Sequence, residues 1–299
     1  MGFLDRMVSA GLPAVPGFLI RSVGRRYVAG EDVEDALETV RALGEEGALS
    51  TVDVLGEDVT EAGRADEAVE EYLRLVDALA DARPDATISL KPTLMGLRID
   101  EQTARQNMDR VFAAAARRGL LVQIDMEDHT ATDATLELYR RMQKRHGNAG
   151  AVLQARLRRT LDDADVLASA GAEVRLCKGI YLESGDMAFQ GFEEIQDSYL
   201  AVLRRLVEGG ARVGIATHDT RLVEEAEALV RSRGMSAADY EFQMLLGVRP
   251  ALRRRLLDAG HAVRVYVPYG RDWEAYSVRR LRENPEIAGH VLKGLVTRQ

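Results

Sequence analysis

At 299 residues the chain has room for two average domains or one large barrel, and 46% hydrophobic residues support a sizeable core. A formal net charge of −8 argues against nucleic acid as the main partner. The single cysteine, Cys177, excludes internal disulfides and a cysteine-based zinc site, so no metal is expected and a reducing, cytoplasmic setting is the simplest inference.

At the N-terminus, Asp5 and Arg6 interrupt what would be the apolar core of a signal peptide. No apolar run approaches the roughly 20 residues needed to cross a bilayer. The segment from Phe3 to Tyr27 mixes apolar residues with Arg21, Arg25 and Arg26. It reads either as a helix packed on the outside of the domain or as an amphipathic segment resting on an anionic membrane, such as the inner face of the cell membrane. No linker, low-complexity tract or composition shift divides the chain. The expectation is one domain over residues 1–299, with a helical extension over 1–46 made of helices at about 16–28 and 31–46.

Beyond this extension, short β-branched apolar runs alternate with longer segments of helical period. The runs cover 48–55, 87–93, 120–127, 150–155, 173–179, 212–218, 240–247 and 263–270. The helical segments cover 66–82, 101–118, 133–144, 161–170, 192–208, 221–233 and 251–258, and a block from Tyr276 supplies an eighth. Strict alternation in this number is the count of an α/β fold of the (β/α)8 TIM-like barrel type, with the eighth helix over the top of the barrel. A doubly wound open sheet would carry a glycine-rich phosphate turn after an early strand. The first turn, Leu55-Gly56-Glu57-Asp58, is not one.

A barrel of this kind places its active site at the C-terminal ends of its strands. Those ends carry Glu57, Lys91, Asp125, Gln154, Arg175 with Lys178, Thr217 with His218, Gln243 and Tyr266. Five of them, Lys91, Asp125, Gln154, Arg175 and Gln243, fall inside otherwise apolar runs, where a charged group needs a partner or carries a desolvation cost of several kcal/mol. Arg175 and Lys178 share a strand end just before Gly179, whose missing side chain admits a ligand close to the backbone. Ala216-Thr217-His218-Asp219-Thr220 runs from strand into helix with Asp219 or Thr220 as N-cap, and such a junction suits a phosphate. These features suggest an anionic, phosphate-bearing cofactor across the fifth and sixth strands. In the last helical block, Tyr276 and Arg280 are four apart, as are Arg279 and Glu283, so each pair is adjacent on the helix surface. The two arginine forks can close on one small carboxylate. Ordinary surface salt bridges are the plainer account of the same pattern.

In order along the chain stand Leu55-Gly56-Glu57, Ser89-Leu90-Lys91, Ile124-Asp125-Met126-Glu127-Asp128, Gln154-Ala155 and Arg175-Leu176-Cys177-Lys178-Gly179-Ile180-Tyr181. They are followed by Ala216-Thr217-His218, Phe242-Gln243-Met244-Leu245-Leu246-Gly247, Val265-Tyr266-Val267-Pro268-Tyr269-Gly270 and Tyr276-Ser277-Val278-Arg279-Arg280-Leu281-Arg282-Glu283-Asn284. Taken together, this series resembles the proline dehydrogenase family, including the corresponding domain of PutA, from about residue 30 onward. Each motif is weak alone and the ordered set is strong. Ile180 stands where the family often has alanine.

The resemblance implies FAD-dependent oxidation of L-proline to 1-pyrroline-5-carboxylate, the first step of proline catabolism. Electrons would pass on to a quinone, and a separate pyrroline-5-carboxylate dehydrogenase would act downstream, since the chain leaves no room for a second domain of that kind. It implies catalytic positions at Asp125 and Arg175. Arg279, Arg280 and Lys91 would serve the substrate carboxylate, while Tyr266, Tyr276 and Tyr181 wall the ring and Glu57 closes the site by pairing with Arg279. FAD would be met by Met126, Gln154, Arg175, Lys178, Gly179, Ile180, Thr217 and His218, with Gln243 and Glu283 nearby. The rival enzyme is a Schiff-base lyase using Lys91 or Lys178. The non-enzymatic rival is an amino-acid-binding barrel.

Overall fold

The computed structural model describes residues 24, 26–83, 85–274, 276 and 277. Eight strands run as β1 (Leu49–Val54), β2 (Thr87–Leu90), β3 (Val122–Ile124), β4 (Ala149–Gln154), β5 (Glu173–Cys177), β6 (Arg212–Ala216), β7 (Tyr240–Leu245) and β8 (Val263–Tyr269). All neighbours pair in parallel and the sheet closes, β1 meeting β8 with Thr51 opposite Tyr266. The fold is a (β/α)8 barrel. Helix α1 (Val33–Glu45) precedes it, and α2 (Ala62–Ala82), α3 (Glu101–Arg117), α4 (Thr132–His146), α5 (Thr160–Ser169), α6 (Phe192–Glu208), α7 (Thr220–Ser232) and α8 (Pro250–Asp258) each follow one strand.

Local chemistry sets these boundaries. Asp100 starts α3 by accepting from the Thr103 amide at 2.7 Å, satisfying one of the unpaired donors of the first turn. Pro250 opens α8, where its missing N–H costs nothing. Gly147 ends α4 in the left-handed conformation at φ 75°. On α2, Val69, Tyr72, Leu75, Val76 and Leu79 recur at helical spacing and are fully buried against the barrel wall. Residues of β2, β3 and β4 are buried throughout, as expected of parallel strands covered on one face by helices and packed on the other against the lumen.

The strands are shorter than the apolar runs suggest. The runs at 87–93 and 120–127 lose their ladders after Leu90 and Ile124, so Lys91 and Asp125 are the first residues of loops. Arg175 and Gln243, expected at strand ends, sit within β5 and β7 and point their chemistry into the lumen. Most of the expected helix at about 16–28 and of the block from Tyr276 lies outside the described residues. Among the described residues no helix is long and apolar enough to cross a membrane.

The lumen is filled by polar side chains where barrels commonly pack branched apolar ones. Space for them comes from glycine. A Cβ on Gly214 of β6 would lie 2.4 Å from Gln243 Nε2, and the Gln243 amide is bonded on both sides and has nowhere to go. Gly214→Ala should therefore destabilise the fold by about 1–3 kcal/mol, the usual cost of overpacking. Denaturant unfolding measures it, and an unchanged midpoint would show that the lumen has slack.

Candidate active site

The centre of the site is a chain of alternating charges across the lumen. Lys91 Nζ donates to Asp53 Oδ2 at 2.7 Å and lies 4.0 Å from Asp125 Oδ2. Asp125 accepts from Tyr266 Oη at 2.8 Å on one oxygen and from Arg175 Nη1 at 2.7 Å on the other. Arg175 spans the barrel from β5 to β2, where Nη1 also meets Ser89 Oγ at 3.0 Å. Its Nε donates to Gln243 Oε1. Gln243 Nε2 then donates to Glu241 Oε1 at 2.7 Å, and Arg264 closes on both oxygens of Glu241. The Gln243 orientation follows from its neighbours, because guanidinium can only donate and carboxylate can only accept.

This arrangement fixes protonation. Burial alone would push Lys91 toward neutrality, but Asp53 and Asp125 outweigh it and hold its pKa above the ordinary lysine value. A Schiff-base nucleophile must be a free amine, so the lyase reading loses Lys91. Lys178, the other candidate, is paired with Asp219 at 3.0 Å and lies over the Phe192 ring. Burial, with the charges of Asp125 and Asp53, pushes Tyr266 well above the ordinary tyrosine value, so its hydroxyl keeps the proton it gives to Asp125. Burial raises the Cys177 thiol to about 11, against the pull of Arg175, and makes it inert.

Other expected residues ring this centre on β4 to β7. Gln154 is buried and donates to the Glu127 carbonyl at 2.5 Å. Gly179 has φ 93°, and a Cβ there would stand 2.7 Å from Gln154 Oε1, so only glycine fits. Thr217 and Met126 are buried, and His218 Nε2 accepts from the Leu245 amide at 2.9 Å. Asp219 caps α7 by accepting from Leu222 N, so the helix start offered to a phosphate already carries a carboxylate. Against burial, Gln196 and Lys178 hold that carboxylate below the usual range.

Tyr276 is buried with Tyr27, Val28, Leu55 and Trp273 and is close enough for its charge to bear on Tyr266. Tyr181 is half-buried, its carbonyl accepting from Arg156 at 2.6 Å. Glu57 and Ile180 are exposed at the rim. Arg279, Arg280 and Glu283 lie outside the described residues.

Sequence reasoning missed Asp53, Ser89 as a ligand of Arg175, Glu241 and Arg264. Each is a polar residue in an apolar strand, the same signal that marked Arg175 and Gln243, but none stands at a strand end. It also assigned no role to Glu127, which is 3% exposed and bonded by both the amide and the hydroxyl of Thr93.

Burial pushes Glu127 up to about 7, while the Thr93 bonds and Lys91 pull the other way. The folded protein therefore holds this proton more tightly than an unfolded chain with an ordinary value of 4.5. Its contribution to stability is fully present below pH 4.5 and is lost as pH rises to about 7. At about 1.4 kcal/mol per pH unit, the wild type should lose about 3 kcal/mol relative to Glu127→Gln across that window. Urea unfolding at the two ends checks it; parallel pH profiles would mean the carboxyl is solvated.

Comparison with known proteins agrees with this geometry. The family model described as Proline dehydrogenase matches residues 36–293. Proline dehydrogenase 2 of Bacillus subtilis is 34% identical over 294 residues, covering 98% of this chain and 95% of that protein. Proline dehydrogenase of Deinococcus radiodurans is 34% identical over 280 residues, covering 92% and 90%. Proline utilization A (PutA) of Bdellovibrio bacteriovorus superposes with a TM-score of 0.82 at 24% identity. That likeness covers 89% of this chain but only 33% of that polypeptide, so it shows the barrel alone. With the family model matched over most of its length and relatives similar almost end to end, this chain belongs to the proline dehydrogenase family.

Proposed function

We propose that this protein is an FAD-dependent dehydrogenase that oxidises L-proline to 1-pyrroline-5-carboxylate. The observation that carries the reading is the lumenal constellation of Lys91, Asp125, Arg175 and Tyr266 at the top of the barrel. A flavin fits the residues present. Arg175 Nη2 is buried and, among the described residues, has no hydrogen-bond partner, so its two N–H groups are left over for a ligand. Gln154, Lys178, Thr217 and His218 follow at or just past the ends of β4, β5 and β6, with Gly179 packed against Gln154.

Arg175, Gln154, Lys178, Gly179, Thr217 and His218 would hold the cofactor, with Met126, Ile180, Gln243 and Glu283 around it. FAD, when bound, supplies the two-electron acceptor for the hydride leaving the ring carbon next to nitrogen; the ring nitrogen gives up a proton. Arg175 stabilises the negative charge that builds beside it. Asp125 accepts from both Arg175 and Tyr266 and so keeps these two groups in register. The ring of Tyr266 lies 5.3 Å from the Arg175 guanidinium, joining the electrostatic and apolar sides of the site. Tyr276 and Tyr181 add apolar wall.

Charge balance supports giving the substrate carboxylate to the C-terminal arginines. The acids Asp53, Asp125 and Glu241 are matched by Lys91, Arg175 and Arg264, so this chain retains no surplus positive charge. Arg279 and Arg280 would supply it, with Glu57 pairing to Arg279 as the site closes. The working unit would be one barrel domain with its N-terminal helical extension. It would pass electrons to a quinone, resting on the inner face of the membrane through the N-terminal segment. A separate pyrroline-5-carboxylate dehydrogenase would take the product.

The purified protein should be yellow, and anaerobic L-proline should bleach its absorbance near 450 nm. A colourless protein that does not reconstitute with FAD would end this reading. Arg280→Met should raise the Michaelis constant for proline by a few kcal/mol in equivalent free energy while leaving flavin content unchanged. An unchanged constant would remove Arg280 from the substrate site.

A further inference from the structure

Three successive loops at the top of the barrel are tied together by one threonine and one glutamate. The loop after β1 leans on Thr93 twice: the Asp58 amide donates to Thr93 Oγ1 at 2.8 Å, and the Val59 amide donates to the Thr93 carbonyl at 3.2 Å. Thr93, in the loop after β2, donates its amide to Glu127 Oε2 at 2.9 Å and its hydroxyl to Glu127 Oε1. Glu127, in the loop after β3, is buried, and its carbonyl is held by Gln154.

The direction of these bonds is set by chemistry. Thr93 Oγ1 has one proton and two lone pairs, and it gives the proton to Glu127 Oε1. With the proton committed to Glu127, a lone pair on Thr93 Oγ1 is left for the Asp58 amide. Asp58 needs such a hold, because it has φ 55°, a left-handed conformation that a non-glycine residue keeps only when its surroundings enforce it. Arg98 supplies the rest, bonding Asp58 Oδ1 at 2.8 Å and reaching Asp128 and Thr130. Glu57 stands between Gly56 and this pinned residue.

We infer that Thr93 and Glu127 are positioning residues for proline capture, holding the first loop in the conformation from which Glu57 closes over the substrate. The inference rests on the dehydrogenase reading above. It assigns Glu127 to loop positioning, not to contact with the substrate, and it makes the second loop, which also carries Lys91, the link between the lumenal charges and the gate.

Thr93→Val keeps the shape of the side chain and removes its hydroxyl, leaving the Asp58 amide without its acceptor. Thr93→Ser keeps the hydroxyl. In the holoenzyme, Thr93→Val should speed amide hydrogen exchange over residues 56–59 by about tenfold. It should raise the Michaelis constant for proline by a similar factor, with maximal rate and flavin content little changed. Thr93→Ser should restore both. Unchanged exchange in Thr93→Val would overturn the inference, as would fast exchange with an unchanged Michaelis constant. A defect that serine does not rescue would count equally against it. Failure of the parent reading is separately visible: wild-type protein that holds no flavin and does not respond to proline would remove that reading and this inference together. The exchange comparison needs no proline.

Discussion

The structure depends on charges buried in alternation through the barrel lumen. Asp53, Lys91, Asp125, Arg175, Glu241 and Arg264 are all largely withdrawn from water. Each would cost several kcal/mol to bury alone. They are tolerated because every cation touches a carboxylate and Ser89, Gln243 and Tyr266 meet most of the remaining donors and acceptors, Arg175 Nη2 excepted. Such a chain adds little to stability over a well-packed apolar lumen. What it provides is a fixed set of protonation states and a rigid placement of Arg175, which is what electrostatic stabilisation of a developing charge requires.

This polar lumen shapes the rest of the fold. Gly214 of β6 leaves the space into which the Gln243 amide fits, as Gly150 of β4 does for Gln123. Around the outside, apolar packing does the ordinary work: Val69, Tyr72, Leu75, Val76 and Leu79 of α2 meet the barrel wall. Even there one polar contact reaches inward, Tyr72 donating at 2.8 Å to the carbonyl of Ser89, the residue whose hydroxyl meets Arg175. The shell provides the stability and the lumen the buried charges, and the two meet at β2.

Above the lumen the loops are held by side-chain ties from one to the next. The first three are tied to one another through Thr93, Glu127 and Arg98, and Glu127 is tied in turn to Gln154 on β4. The loop after β5 presents Ile180, Leu182 and Met187 to solvent and is tied through Glu183 to the His129 amide and through the Tyr181 and Gly185 carbonyls to Arg156 and Arg158.

Periodicity alone determined the barrel. Parallel strands buried on both faces must read as short apolar runs, helices on a barrel must show one apolar stripe, and eight alternations leave few other architectures. The polar residues interrupting those runs also pointed to Lys91, Asp125, Gln154, Arg175 and Gln243, because a charge in an apolar strand has to find a partner. The sequence could not say which partner. Asp53 lies 38 positions from Lys91, and Arg175 lies 86 from Ser89 and 68 from Gln243, separations across which no local pattern survives. Nor could it show that the apolar runs at 87–93 and 120–127 end as strands at Leu90 and Ile124, where Lys91 and Asp125 follow on adjacent strands and come within 4.0 Å of each other. Closure of the sheet decided these things: it brings the far sides of the barrel within the reach of one arginine side chain, and the cost of burying each charge then selects its mate.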